Sequence, residues 1–146
     1  MSSQEVPFQI GGAQWIWVPK VDNKAELPAY FVLFRRSLVL DGPPPSSCVL
    51  HISADTRYRL FVNGTPASFG PCKSYPTRWY YESVDIAPFL KAGVNVLAVR
   101  VLRLSPESAA ATSIMRASKP GMILHCKVGV RYDPSCLKAV VPERGF

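Results

Sequence analysis

The 146 residues carry 17 basic and 10 acidic side chains, a net charge of +7, with 48% hydrophobic and 11% aromatic residues. This is the length of one domain, and the composition excludes disorder of the whole chain. The 14 prolines, about twice the usual share, exclude long helices, helical bundles and coiled coils, and no apolar run approaches the roughly 18 residues of a membrane span.

In chain order, residues 1–12 form a polar lead without the basic region and apolar stretch of a secretory signal. Cytoplasmic residence is therefore the default expectation, with secretion the reading if a leader has been lost. Trp15-Ile16-Trp17-Val18 is a short apolar segment stopped by Pro19. Ala29 to Leu40 reads as one long strand, in which Tyr30, Val32 and Phe34 alternate with Phe31, Leu33 and Arg35. Asp41-Gly42-Pro43-Pro44-Pro45 ends it in a stiff loop. Cys48 to Ser53 alternates again, with Cys48, Leu50 and Ile52 on one face. Thr56 to Val62 places Tyr58, Leu60 and Val62 inward and Arg57, Arg59 and Phe61 outward. Asn63-Gly64 then predicts a two-residue hairpin, since both positions tolerate positive φ.

Trp79-Tyr80-Tyr81 begins another extended segment. Asp85 is a candidate cap for one short helix over Ile86 to Ala92, with Pro88 in its first turn and Gly93 at its end. Asn95 to Leu104 is a further strand, contributing Leu97, Val99 and Val101 to the interior. After Pro120-Gly121, Met122, Leu124, Cys126 and Val128 lie on one face, and Ile123, His125 and Lys127 on the other. Seven or eight strands with turns at close intervals predict a single antiparallel all-β sandwich of jelly-roll type over residues 13–132. Residues 133–146 form a C-terminal tail that matches no recognisable pattern.

The chemistry-bearing residues are sparse. Cys48, Cys72, Cys126 and Cys136 include no CxxC pair, and His51 and His125 fall mid-strand, so neither a metal site nor a cofactor is expected; free buried thiols are the simpler reading. No GxSxG elbow, GxGxxG loop or phosphate-binding loop is present. Asp55, Glu82, Asp85, Glu107 and Asp133 are explained by turns and caps more simply than as the opposed carboxylates of a glycosidase. The sequence offers no enzyme of its own. Arg57-Tyr58-Arg59 and Arg78-Trp79-Tyr80-Tyr81 admit three readings: base stacking with phosphate contacts, sugar stacking with hydroxyl contacts, or plain core. A saccharide site, if built here, draws on Asp55, Arg57, Arg78 and Trp79.

The run Ile52-Ser53-Ala54-Asp55-Thr56-Arg57-Tyr58-Arg59-Leu60-Phe61-Val62-Asn63-Gly64 resembles a signature of galactose-binding-like β-sandwich domains attached to glycoside hydrolases. Gly70-Pro71, Trp79-Tyr80-Tyr81-Glu82, Val84 to Leu90 and Gly93 to Val99 follow in an order similar to the amino-terminal domain of α-L-rhamnosidase-like proteins, particularly fungal ones. Trp15-Ile16-Trp17 and Phe34-Arg35-Arg36-Ser37 suit its opening strands. The resemblance implies a non-catalytic accessory domain that packs on a catalytic glycoside hydrolase module or holds carbohydrate. The acidic residues that hydrolyse rhamnosides in that family sit on a helical barrel outside this sequence, so no catalytic residue carries over. The alternatives are a stand-alone lectin-like module and, with no motif to support it, a basic nucleic-acid-binding domain. Phe61 and Ile123, both expected outward among Arg57, Arg59, Arg100, His125 and Lys127, imply a face covered by another module, or self-association where that module is missing.

Overall fold

The computed structural model describes residues 12–19, 29–72, 79–104 and 120–126, together with the backbone of Lys138–Val140. Among these residues are eight strands: β1 (Ala29–Leu40), β2 (Val49–Ala54), β3 (Arg57–Val62), β4 (Thr65–Gly70), β5 (Glu82–Asp85), β6 (Gly93–Leu104), β7 (Met122–Cys126) and β8 (Lys138–Val140). They form a five-stranded sheet ordered β4-β3-β6-β1-β8 and a three-stranded sheet ordered β5-β2-β7, with antiparallel pairing throughout. The period-two apolar pattern gives each sheet one face to bury, and the two apolar faces meet in a β-sandwich.

The interior is built from the alternating positions. Val32 and Phe34 of β1, Leu50, Ile52 and Ala54 of β2, Tyr58, Leu60 and Val62 of β3, and Leu97, Val99 and Val101 of β6 are buried in one cluster with Met122. Leu124 and Cys126 are half-buried against it, and Val128 lies outside the described residues. The small sheet departs from the alternation on its other face. Ile123 and Ser53, cross-strand partners expected to point outward, are both fully buried. The cause is local: Ser53 Oγ donates to the Tyr80 carbonyl at 2.6 Å and accepts from the Trp79 indole at 3.0 Å. Trp79 in turn meets Trp15 edge-on, ring centroids 5.2 Å apart. The chain thus folds Trp15 and Trp79 over this part of the sheet.

Trp15 is brought there by the bridge between Ile16 and Met122, which exchange backbone hydrogen bonds of 2.9 and 3.0 Å. Gly121 leaves room for it, because a Cβ on that residue would lie 2.7 Å from the Trp15 ring. Trp79 to Tyr81 are consequently not a strand, and β5 begins at Glu82.

Asn63 and Gly64, at φ 50° and 83°, make the β3–β4 turn as predicted. A bulge between Leu60 and Phe61 lets the edge strand β4 carry Pro66. The expected helix over Ile86 to Ala92 is a single 3-10 turn, Ala87–Phe89, closed by Phe89 and Leu90 amides on Ile86 and Ala87. Two asparagines tie this turn to the hairpin. Asn63 donates to the Phe89 carbonyl and to Asn95 Oδ1, both at 2.8 Å, and accepts from the Val96 amide. Asn95, fully buried, also accepts from the Lys91 amide and donates to the Lys91 and Gly93 carbonyls.

Two stability results follow. Leu60→Ala should cost about 2–5 kcal/mol by cavity formation, and Asn95→Ala at least about 2 kcal/mol, because several buried partners lose their bonds together. Denaturant melts showing under about 0.5 kcal/mol for either, the range of surface sites, would contradict this packing.

Candidate functional site

Among the residues expected to build a saccharide site, Asp55 is the most constrained. It lies where the chain leaves the small sheet after β2 and enters the large one at β3. Its carboxylate pairs with the guanidinium of Arg103, an inward position near the end of β6, and the two side chains are 1% and 0% exposed. The Asp55 amide donates to the Gly121 carbonyl at 2.8 Å, and Thr56 Oγ1 donates to the same carboxylate at 3.2 Å. Asp55 therefore serves the interior and presents no oxygen to a ligand at the surface. Arg57 lies on the outer face of the five-stranded sheet, where Nη1 donates to the Pro71 carbonyl at 3.1 Å. Trp79 covers the outer face of the opposite sheet. The structure does not bring Asp55, Arg57 and Trp79 to one surface, and Arg78 lies outside the described residues.

The other carboxylates with described partners are engaged as acceptors. Glu82 accepts from the Tyr58 hydroxyl at 2.9 Å and from the Cys72 amide at 2.8 Å, and it occupies the space that a side chain on Gly70 would need. Burial, reinforced by the Glu82 charge, lifts the Tyr58 phenol above its ordinary range. Asp85 accepts from the Cys48 amide at 2.8 Å and from the Ala87 amide at 3.0 Å, and these bonds hold its carboxyl below the usual range. The carboxylate thus accepts an early amide of the turn, as expected, and also clamps the start of β2, although the cap position itself is Ile86, without a side-chain cap bond.

Three further groupings stand out. His51 and His125 are cross-strand partners on the outer face of the small sheet, stacked at 6.2 Å. His51 Nδ1 lies 2.7 Å from Ser83 Oγ, and its ring meets Tyr81 edge-on. A serine-histidine contact is one part of a nucleophilic site, but no described carboxylate orients this imidazole. The thiols of Cys48 and Cys126 lie 3.4 Å apart. Burial, then the bond to Cys126, pushes Cys48 up to about 12, so it stays protonated and inert at neutral pH. Cys72, expected buried, is exposed. Both core thiols border an apolar cleft of about 540 Å³ between the sheets, with Phe34, Leu38, Leu97 and Met122 in its wall. No group of three metal-ligating side chains occurs among the described residues, and no described helix is long and apolar enough to cross a membrane.

The third grouping, on the outer face of the large sheet, combines guanidinium groups with aromatic rings. Arg59 and Arg100 are direct cross-strand partners there, and Phe69 stands opposite Arg59. The Arg57-Tyr58-Arg59 segment of β3 was a candidate from sequence for stacking and contact, with Arg57 alone named for a saccharide site. Arg100 and Phe69 were missed as site residues because strand pairing, which a single sequence does not reveal, sets them beside it.

Two measurements check these assignments. Asp55→Asn or Arg103→Met should each destabilise by about 3–5 kcal/mol, since each leaves a buried group without its partner, and the double variant should recover part of the loss. Additive losses in that cycle would deny the pair. The Asp85 carboxyl, depressed in the folded chain, contributes stability above its unfolded value, near 3.8, and loses it as pH falls through the folded value. Asp85→Ala should therefore melt below the parent at pH 7, with the gap closing in strong acid; a gap independent of pH would show the bonds carry no charge dependence.

No family model matches the chain, and no curated protein does. Solved structures do match. A GH78 family rhamnosidase of Bacillus sp. GL1 aligns over 87% of this chain at 31% identity and a TM-score of 0.65, a stretch that is 12% of its own length. An α-L-rhamnosidase of Streptomyces avermitilis complexed with L-rhamnose covers 92% at 23% identity and a TM-score of 0.60, again 12% of its length. That of Aspergillus terreus covers 84% at 20% identity and a TM-score of 0.54, or 15% of its length; these last two show the fold alone. The likeness thus extends across bacterial and fungal enzymes. The chain spans 12–15% of the length of these rhamnosidases, and over that span it resembles a β-sandwich portion of them.

Proposed function

We propose that this chain is a non-catalytic accessory domain of an α-L-rhamnosidase-like glycoside hydrolase, packing on a catalytic module or holding carbohydrate beside it. The observation that carries the reading is the 31% identity to a GH78 rhamnosidase over 87% of this chain but 12% of that enzyme. The roles of three of the four described carboxylates support it. Asp55 is spent on Arg103, Glu82 on Tyr58 and Cys72, and Asp85 on Cys48 and Ala87. Glycoside hydrolysis needs two carboxyl groups facing one bond, one protonated and one ionised, and these three are distributed over separate structural tasks.

Incubation of the purified chain with an aryl α-L-rhamnoside should release aglycone at the rate of the buffer blank. Turnover that disappears on Glu82→Gln would overturn the non-catalytic reading. The accessory role has its own test in the transcript: a reading frame continuing past codon 146 into a helical barrel supports it, and a stop codon there favours a stand-alone lectin-like module.

A further inference from the structure

Strands β1, β3, β4 and β6, which make up most of the large sheet, contain six arginines and no aspartate or glutamate. Four of the six, Arg35, Arg57, Arg59 and Arg100, occupy outward positions. Arg59 and Arg100 face each other directly across the β3–β6 pair, and both are exposed. Like charges directly opposite in a sheet destabilise it, so this pair is a standing cost to the fold. Each guanidinium has instead settled over a ring: Arg59 over Phe61 at 5.5 Å, and Arg100 over Phe31 at 5.2 Å.

The register gives those contacts a consequence. Phe61 lies on the row of Ala98 and Arg35, whereas Phe31 lies on the row of Leu102 and Arg57. The two guanidiniums are therefore drawn toward opposite ends of the strands. Beside the pair, on the side of the Phe31 row and without Phe61 in its wall, lies a groove of about 280 Å³ bordered by Phe31, Arg57, Arg59, Phe69, Arg100 and Leu102. That volume is close to the lower limit of small-ligand sites, about 300 Å³. Its rim carries Phe69, 80% exposed on the edge strand.

We infer that this groove binds an acidic saccharide, a uronate-bearing oligosaccharide whose carboxylate lies between Arg59 and Arg100 and whose ring stacks on Phe69. The charge complementarity is specific to an anion, because guanidinium groups form paired, charge-assisted hydrogen bonds to carboxylate. A carboxylate placed between two opposed cations also removes their repulsion, so binding is favoured by relief as well as by contact. A second copy of this chain is the wrong occupant, since its equivalent face sets arginine against arginine. The choice of a sugar as the body of the anion rests on the proposed role beside a glycoside hydrolase; the choice of an anion rests on this face alone.

Trigalacturonate titrated by calorimetry at low salt is the probe. It should bind, with Arg59→Ala/Arg100→Ala weakening it at least tenfold, Phe69→Ala weakening it several-fold, and the methyl-esterified trisaccharide binding at least tenfold more weakly than the free acid. All three side chains are exposed, so the variants should keep the parent circular dichroism spectrum, and Arg59→Ala should melt no lower than the parent. No heat at millimolar trigalacturonate overturns the inference, as does equal binding of acid and ester or binding unchanged in the double arginine variant. Triglutamate binding as tightly as trigalacturonate overturns it in favour of an acidic peptide, and tighter binding of oligothymidylate does so in favour of nucleic acid. These outcomes leave the accessory reading standing, because that reading is tested by the rhamnoside assay and the reading frame.

Discussion

The ion pair between Asp55 and Arg103 is the constraint on which the two sheets depend. A sandwich holds its layers by apolar contact, which is non-directional and tolerates sliding. Asp55 sits at the crossover from β2 to β3, so its bond to Arg103 fixes the small sheet's exit against the last residues of β6. The same residue's amide is held by Gly121, just before β7, and Thr56 Oγ1 accepts from the Leu104 amide at 3.4 Å. Crossover, central strand and the approach to β7 are thereby joined through two adjacent residues. Because both charges are withdrawn from water, their attraction is barely screened by salt, but the arrangement tolerates little movement before desolvation goes uncompensated. Losing either member costs more than the intact pair adds, because the group left behind is a buried, uncompensated charge.

The opposite end of the sandwich is held by a neutral counterpart. Asn63 and Asn95 connect the β3–β4 hairpin, the 3-10 turn and the start of β6 through their side-chain amides, beside a backbone bond from the Asn63 amide to the Val96 carbonyl. The hairpin therefore does more than reverse the chain, since its first turn residue satisfies the backbone of two other segments. The Asn63 position combines a requirement for positive φ with a requirement for a donor and an acceptor at the tip. Asparagine meets both requirements, whereas glycine meets the first alone.

This explains where the sequence was legible. Strands β1, β3 and β6, and the turn at Asn63-Gly64, were readable because period-two alternation and turn chemistry are local properties. The bonds that join the layers were not. Asp55 pairs with a residue 48 positions away and Asn63 with one 32 away, and nothing within a short window distinguishes a buried aspartate from one exposed in a turn. Ile123 illustrates the same limit for apolar residues. Its alternation correctly assigned it to the face opposite Met122, but a face is exposed only if nothing folds over it, and Trp15 arrives from more than a hundred residues earlier. The Arg59–Arg100 juxtaposition is likewise a product of strand pairing. Each arginine alone reads as an ordinary solvated residue, and only their alignment makes an electrostatic problem.

The two outer faces of the sandwich have consequently taken different roles. On the small sheet, the chain covers part of the outer face itself, with Trp15 and Trp79 over Ser53 and Ile123, while Val49 and Tyr81 on that face stay exposed. On the large sheet, β4, β3, β6 and β1 present their outward side chains to solvent, and selection for stability alone would not leave two arginines opposed there. An exposed basic residue can be lost or neutralised without disturbing the core, so a repulsive pair held on rigid strands is a structural expense with no return among the described residues. The return proposed for it is the acidic ligand inferred for this face, since strands β1, β3, β4 and β6 themselves carry no aspartate or glutamate. The interior is closed by paired charges and satisfied amides, and the outer face of the large sheet is left with charge in excess; the first condition is what allows the second to be maintained.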